Sequence, residues 1–285
     1  MSRSSKRMPS LFLKTLSAAG CAMALFSPAR ALADHVDRGR LSVMHLNIAG
    51  GTNGGGTGIA DKLADSVASR APGLPLAVSV NEVCIQQWSR LYDRLTALGY
   101  TGHFGPSTWS TPGRCGTNKP YGNAVFWIGG HADAATFWLP DENQVDGAAT
   151  AEKRNMVCGR AHFPANTWYC STHLVDNDNG NDARRLAVTR RQADNIRAIA
   201  NLLNTQHRAI VMGDFNLRPS DPAMQRWFQG FWYSANPRHR ATHDTLGTLD
   251  YIMARADRFT FGHDAYIAPV ADSDHHLMQG YPLFK

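Results

Sequence analysis

Lysine is almost missing from most of this chain. Beyond the first 33 residues only Lys62, Lys119, Lys153 and Lys285 occur, and arginine supplies the remaining positive charge. Net charge is scarce there as well. Five basic residues (Arg3, Lys6, Arg7, Lys14, Arg30) and no acid lie within residues 1–33, so 24 of the 29 Lys+Arg remain to face 23 Asp+Glu. The formal charge of +6 is therefore mostly a property of the amino-terminal segment and is no footprint for nucleic acid. After residue 33 no apolar run approaches the roughly 20 residues needed to cross a bilayer, which argues against stable membrane insertion. No Cys-x-x-Cys pair is present, so a zinc site of the usual spacing is excluded. The Gly-rich stretch Gly50 to Gly58 lacks the Gly-Lys-Ser/Thr of a P-loop and reads instead as a loop at the edge of a site. Neither a repeat nor a dividing linker is evident.

The 43% hydrophobic residues, with 7 Trp, 12 Phe and 8 Tyr, are enough for a sizeable core, and disorder does not fit that composition. The first residues read as a signal peptide. A basic front is followed by the small, apolar run Leu16 to Phe26, and Ala31-Leu32-Ala33 has the small-x-small form of a cleavage site. The expectation is residues 1–33 as leader, cleaved after Ala33, and residues 34–285 as one domain, secreted or periplasmic. Cys21 lacks the leucine that precedes a lipid-modified cysteine by three positions; Ala18 stands there.

Cleavage leaves Cys84, Cys115, Cys158 and Cys170, an even count that in an exported chain argues for two disulfides. Cys158 and Cys170 flank the turn Pro164-Ala165-Asn166 between strand-like runs at 155–163 and 167–174, so they can face one another across a hairpin. Cys84 is then left with Cys115.

Short apolar strands are expected at 41–47, 75–82, 123–128, 209–212, 249–253, 259–266 and 277–284, and helices at 59–70, 86–98 and about 182–204. The last helix carries Arg184, Arg185, Arg190, Arg191 and Arg197, read as a solvated face. Polar residues cluster where strands end: Asn47, Glu82, His173, Asp214, Asn216, Asp250, Asp274 and His275. Singly, each suits a turn or cap. Together, the oxygen donors Asn47, Glu82, Asp214, Asn216 and Asp274 suit Mg²⁺, with Mn²⁺ or Ca²⁺ also compatible, rather than zinc. Two histidines beside carboxylates suit acid and base chemistry near neutral pH. A hard cation with paired histidines points to phosphoester hydrolysis.

The sequence resembles the endonuclease/exonuclease/phosphatase superfamily, the deoxyribonuclease I-like hydrolases. The resemblance rests on ordered matches: His45-Leu46-Asn47, Asn81-Glu82-Val83, Tyr121-Gly122-Asn123-Ala124, Ser171-Thr172-His173-Leu174, Gly213-Asp214-Phe215-Asn216, Leu249-Asp250-Tyr251-Ile252 and Ser273-Asp274-His275-His276. It implies an α+β fold, a four-layer α/β/β/α sandwich of two packed, mostly antiparallel sheets flanked by helices, with the site at one end. It also implies Glu82 as principal metal ligand with Asn47 and Asp274 near it. Asp214 and Asn216 are then expected to orient water and phosphate oxygens. His275, oriented by Asp250, is expected as base or electrostatic stabiliser, and His173 at the departing oxygen. Arg154 and Asn123 are the expected substrate contacts.

Two departures bear on the substrate. Cys84 stands where the deoxyribonuclease branch has a groove-entering arginine, and no glutamate partner for the first histidine can be located. The aromatics Trp109, Phe231, Trp232 and Tyr233 suit base stacking, a membrane edge or the core. The expected function is an exported, metal-dependent nuclease acting as a monomer on nucleic acid. The alternatives are a sphingomyelinase-like or small-molecule phosphodiesterase or phosphatase acting on lipid or small phosphoesters, and a non-catalytic binding protein on the same fold.

Overall fold

A computed structural model describes residues 41–50, 55–71, 73–109, 115–116, 118–140, 153–177, 181–230 and 232–285. The leader expected over 1–33, residues 51–54 of the Gly-rich loop and Phe231 lie outside them.

Two six-stranded sheets carry the fold. The first contains β1 (Val43–Asn47), β2 (Ala77–Cys84), β3 (Thr101–Trp109), β4 (Pro120–Trp127), β12 (Tyr266–Pro269) and β13 (His276–Gly280), in the order β12-β13-β1-β2-β4-β3. The second contains β5 (His131–Trp138), β6 (Asn155–Ala161), β7 (Thr167–His173), β8 (Arg208–Asp214), β9 (Trp232–Ser234) and β10 (Asp250–Arg255), in the order β5-β6-β7-β8-β10-β9. A two-stranded ribbon joins β11 (Phe259–Phe261) to β14 (Pro282–Phe284). Within each large sheet one pair is parallel, β1 with β2 and β7 with β8, and the others run antiparallel.

Helices α1 (Gly58–Ala68) and α2 (Ile85–Thr96) bury Ile59, Leu63, Val67, Leu91 and Leu95 on the outside of the first sheet. On the second sheet, α3 (Ala183–Gln206) and α4 (Pro222–Gln229) bury Ala193, Ile196, Ala200, Met224 and Trp227. The layers are thus α/β/β/α, as the resemblance implied. Asp182 starts α3 by accepting bonds from the backbone N–H of Arg184 (2.9 Å) and Arg185 (3.0 Å). On its outer side Arg190 pairs with Asp221 at 2.9 Å and Arg197 with Asp194 at 3.8 Å, so its basic residues form a solvated, partly paired face.

Strand alternation sorts the side chains of β8. Ala209 and Val211 pack under the helices, whereas Ile210 and Met212 enter the core between the sheets. Asp214, in step with Ile210 and Met212, therefore points inward. The same rule turns His173 on β7 and Asp250 on β10 inward, and the registers His173↔Asp214 and Asp250↔Asp214 place the three side by side. Across the sandwich, Asn47↔Asn81 closes the parallel pair β1–β2 at the same end. Sheet topology alone gathers the polar strand ends into one place.

The structure differs from expectation in several elements. The runs 259–266 and 277–284 are each two short strands, broken at residues 262–265 and at Tyr281, and β14 leaves its neighbour to pair with β11. Strands β3, β5 and β9 and helix α4 had no expected counterpart. Both disulfides form as expected: Cys84 with Cys115 (Cα–Cα 5.3 Å) and Cys158 with Cys170, register partners on β6 and β7.

Candidate active site

Asp214 is the centre of the polar cluster and only 1% exposed. Its Oδ1 accepts from the backbone N–H of Asn216 (2.8 Å) and its Oδ2 from Asn47 Nδ2 (3.2 Å), while its own N–H donates to Asn81 Oδ1 (2.9 Å). The Nε2 atoms of His173 and His275 each lie 3.6 Å from that same Oδ2. Burial pushes the Asp214 carboxyl above the usual carboxylate range, against the charge of His275 and the two hydrogen bonds it accepts.

The two histidines have opposite surroundings. Arg154 Nη1 donates to His173 Nδ1 at 2.8 Å. Arginine has no acceptor, so Nδ1 must offer its lone pair, and the neutral ring carries its proton on Nε2, the atom facing Asp214 Oδ2 at 3.6 Å. Burial, the Arg154 charge and the His275 charge all hold His173 well below the usual histidine range. His275 instead donates from Nδ1 to Asp250 Oδ2 at 2.8 Å. Burial alone would lower its pKa, but the Asp250 and Asp214 carboxylates outweigh this and carry it up to about 10. Asp250 is fully buried; burial would raise its carboxyl, yet the charge of His275 and hydrogen bonds from His275 and His45 hold it well below the usual range.

Glu82 sits at φ 59° in the irregularity between Val80 and Val83 of β2, which turns its carboxylate towards the cluster. Its Oε1 accepts from Asn47 Nδ2 (3.2 Å), and no basic side chain forms a salt bridge with it among the described residues. A part-buried carboxylate with unused acceptor capacity fits a hard cation, and Asn47, whose Nδ2 faces Glu82 while its Oδ1 accepts from the Ala49 N–H (3.0 Å), would join it only through Oδ1. Asp274 is more open, with its side chain 57% exposed, and its Oδ2 lies 3.3 Å from His243 Nε2. The loop carrying it is tied to β1, because Ser273 Oγ donates to the Asn47 carbonyl (2.7 Å) and accepts from the His275 N–H (3.0 Å).

Among the described residues two other groupings bring donor atoms within 4.8 Å of one another: His243, Asp274 and His275, and Asp214, Asp250 and His275. The chemistry of each disfavours a metal. His243 Nδ1 accepts from the N–H groups of Thr245 and Leu246 (3.1 and 3.2 Å), so its neutral ring has its proton, not a lone pair, at Nε2. Both oxygens of Asp250 are already engaged by imidazoles.

Asn47, Glu82, His173, Asp214, Asn216, Asp250 and His275 are therefore brought together, with Asp274 at the rim. Arg154, expected to face the substrate, is 9% exposed and turned onto His173. It occupies the Nδ1 side of that histidine, where the resemblance implies a glutamate partner. Asn123, also expected as a substrate contact, lies in the seam between the sheets: its Oδ1 accepts from Asn81 (2.9 Å) and its Nδ2 donates to Asn155 Oδ1 (2.9 Å). Of the aromatics, Trp232 is core and Tyr233 is 51% exposed, while the side chain of Trp109 lies outside the described residues. Sequence reasoning gave no role to His45, Ser79, Asn155 or His243. The signal for His45 was its place two residues before Asn47 on one strand, hence on the same face.

A profile of the Endonuclease/Exonuclease/phosphatase family matches residues 44–275. The chain belongs to this family. Solved members and neighbours share the fold: an endonuclease/exonuclease/phosphatase from Beutenbergia cavernae (TM-score 0.70, 19% identity, covering 86% of this chain and 72% of that one) and the human Nocturnin catalytic domain with bound sulfate (0.66, 20%, 86% and 94%). The mannosyl-6-phosphatase of Bacteroides thetaiotaomicron is similar at TM-score 0.64 and 16% identity, over 86% of this chain and all of that one. No curated protein matches. The endonuclease/exonuclease/phosphatase family is hydrolytic, embraces nucleases, phosphatases and phosphodiesterases, and generally uses divalent metal ions.

Proposed function

We propose that this chain is an exported, metal-dependent phosphoester hydrolase that cleaves phosphodiester bonds as a nuclease. The observation that carries the reading is Asp214 flanked by His173 and His275 at 3.6 Å each, with Glu82 bonded to Asn47 and in no salt bridge among the described residues. Glu82 and Asn47, with Asp274 at the rim, are the residues to hold Mg²⁺; Mn²⁺ and Ca²⁺ satisfy the same oxygen donors. Such an ion, when bound, supplies charge neutralisation at the phosphoryl oxygens.

The chain's own residues divide the remaining work. The raised carboxyl of Asp214, next to the Asn216 amide, can take the proton of an attacking water. His275, held as the cation by Asp250, stabilises charge that develops on the phosphoryl group. His173, kept neutral by Arg154, offers its Nε2–H to the departing oxygen as a hydrogen-bond donor. Export is supported by the two disulfides and by the composition of residues 1–33, proposed as a leader removed after Ala33. Among the described residues no helix is long and apolar enough to cross a membrane, and we take the working form to be a monomer.

One observation favours a second reading, hydrolysis of lipid or small phosphoesters. Cys84 is fully buried in a disulfide, and Arg154 is turned onto His173, so neither position offers a cation to a DNA groove. A panel of plasmid DNA, RNA, sphingomyelin and small phosphomonoesters, each with Mg²⁺ and with chelator, tests the choice. Chelator-sensitive cleavage of DNA or RNA is expected. Turnover of only lipid or monoester substrates establishes the second reading, and turnover of none leaves a binding protein.

A further inference from the structure

His45 is buried at 0% exposure, lies in neither the predicted ligand set nor the predicted catalytic set, and joins the two sheets. Its Nε2 is 3.0 Å from Asp250 Oδ1, across the sandwich from β1 to β10, while Asp250 Oδ2 accepts from His275 Nδ1. A carboxylate only accepts, so His45 must carry a proton on Nε2. Its other nitrogen, Nδ1, faces Ser79 Oγ at 2.9 Å; Ser79 Oγ continues to Ser171 Oγ (2.8 Å), which also accepts from Asn81 Nδ2 (3.1 Å). Asn81 in turn accepts the Asp214 N–H. A continuous buried chain thus runs from the support of His275 to the support of Asp214.

Resting on the hydrolase reading above, we propose that His45 is a positioning residue for the reaction. It holds one oxygen of Asp250 so that the other stays aimed at His275. Without that donor, a carboxylate at zero exposure has an unsatisfied oxygen and is free to rotate towards any remaining donor, and His275 is the nearest. A rotation of this kind misplaces the His275 ring relative to Asp214, and misplacement of about 1 Å can cost roughly 10²-fold in rate.

Two near-isosteres separate positioning from packing. The amide nitrogen of Gln reaches the place of Nε2, and that of Asn the place of Nδ1. His45→Gln keeps the donor to Asp250, and His45→Asn keeps only the side facing Ser79. With bis(p-nitrophenyl) phosphate and Mg²⁺, His45→Asn is expected to lower kcat about tenfold or more, with KM within about threefold, and His45→Gln to stay within about threefold of wild type. In an Asp250→Asn background the difference between the two variants is expected to vanish. Equal losses in the two variants, or a difference that persists with Asp250→Asn, overturn the proposal.

A second readout does not depend on activity. In metal-free, histidine-¹⁵N-labelled protein, the His275 Nδ1–H resonance is expected to survive His45→Gln and to shift or broaden in His45→Asn. An unchanged resonance in His45→Asn overturns the proposal, including when wild type hydrolyses no phosphoester and the hydrolase reading has failed by itself. Should His45→Asn not fold, Ser79→Ala, which frees only the far side of the ring and leaves the donor to Asp250, is expected to keep the same resonance, as His45→Gln does, and its loss or shift in Ser79→Ala overturns the proposal.

Discussion

His173 and His275 are the same side chain in opposite electrostatic settings, because Arg154 faces the Nδ1 of one and Asp250 the Nδ1 of the other. In the proposed mechanism each acts on the transition state more than on substrate binding, because both Nε2 atoms converge on Asp214 rather than on a remote part of the surface. His173→Ala and His275→Ala are each expected to lower kcat by at least about 10²-fold with little change in melting temperature. His276 bonds Asp244 at 2.9 Å, away from Asp214, and its alanine variant should stay within about threefold of wild type. Equal damage from His276→Ala and His275→Ala, measured as steady-state kcat, shows that the register of the Ser-Asp-His motif is misassigned.

The same asymmetry predicts how stability follows pH in metal-free buffer. His275 has a folded pKa raised from 6.5 to about 10, so its contribution is fully present below 6.5 and fades as pH rises from there towards 10. His173 has a folded pKa well below 6.5, so it weakens the fold as pH falls through 6.5, where the unfolded chain takes up the proton first. Denaturant titrations should therefore show a flatter alkaline limb in His275→Gln and a flatter acid limb in His173→Gln. Limbs identical to wild type in both variants contradict the assigned surroundings.

At the scale of elements, most of the fold was legible wherever a strand alternated cleanly or ran apolar between turn residues, as in β1, β2, β7 and β8. The missed strands break those rules for visible reasons. Edge strand β3 contains Gly102, Gly105 and Pro106, which read as a turn, and β5 has no fully buried residue, with His131, Asp133, Ala134 and Trp138 exposed. The candidate site was legible as types of residue at strand ends, because hard oxygen donors and histidines are uncommon there together. What no spacing could reveal was pairing across the sandwich. Arg154 on His173, Asn123 in the seam and His45 on Asp250 all depend on which strands lie opposite, a matter of sheet order.

Two predictions belong to this scale. Gly213 has φ 157°, and a Cβ there would lie 2.0 Å from the Thr172 carbonyl oxygen on the neighbouring strand. Gly213→Ala must push β7 and β8 apart just before Asp214, and a loss of about 1–3 kcal/mol by denaturant unfolding is expected. A variant as stable as wild type contradicts the tight approach of these strands. For the cysteines, thiol titration of the unfolded protein should find Cys84, Cys115, Cys158 and Cys170 all blocked, and non-reducing peptide mapping should join the pairs seen here. Four free thiols overturn both the pairing and the proposed compartment.

At the scale of the whole molecule, the sandwich brings Asn47, Glu82 and His275, at the ends of β1, β2 and β13 in one sheet, against His173, Asp214 and Asp250 of β7, β8 and β10 in the other, so that the residues proposed to hold metal meet those proposed for acid–base work. Neither sheet is chemically complete alone. The most direct measurement is hydrolysis of bis(p-nitrophenyl) phosphate by the purified protein after exhaustive chelation and again after a hard cation is restored. Turnover is expected to disappear in excess EDTA, to return with Mg²⁺ or Mn²⁺, and to survive a zinc-selective chelator. Full turnover in excess EDTA contradicts the account.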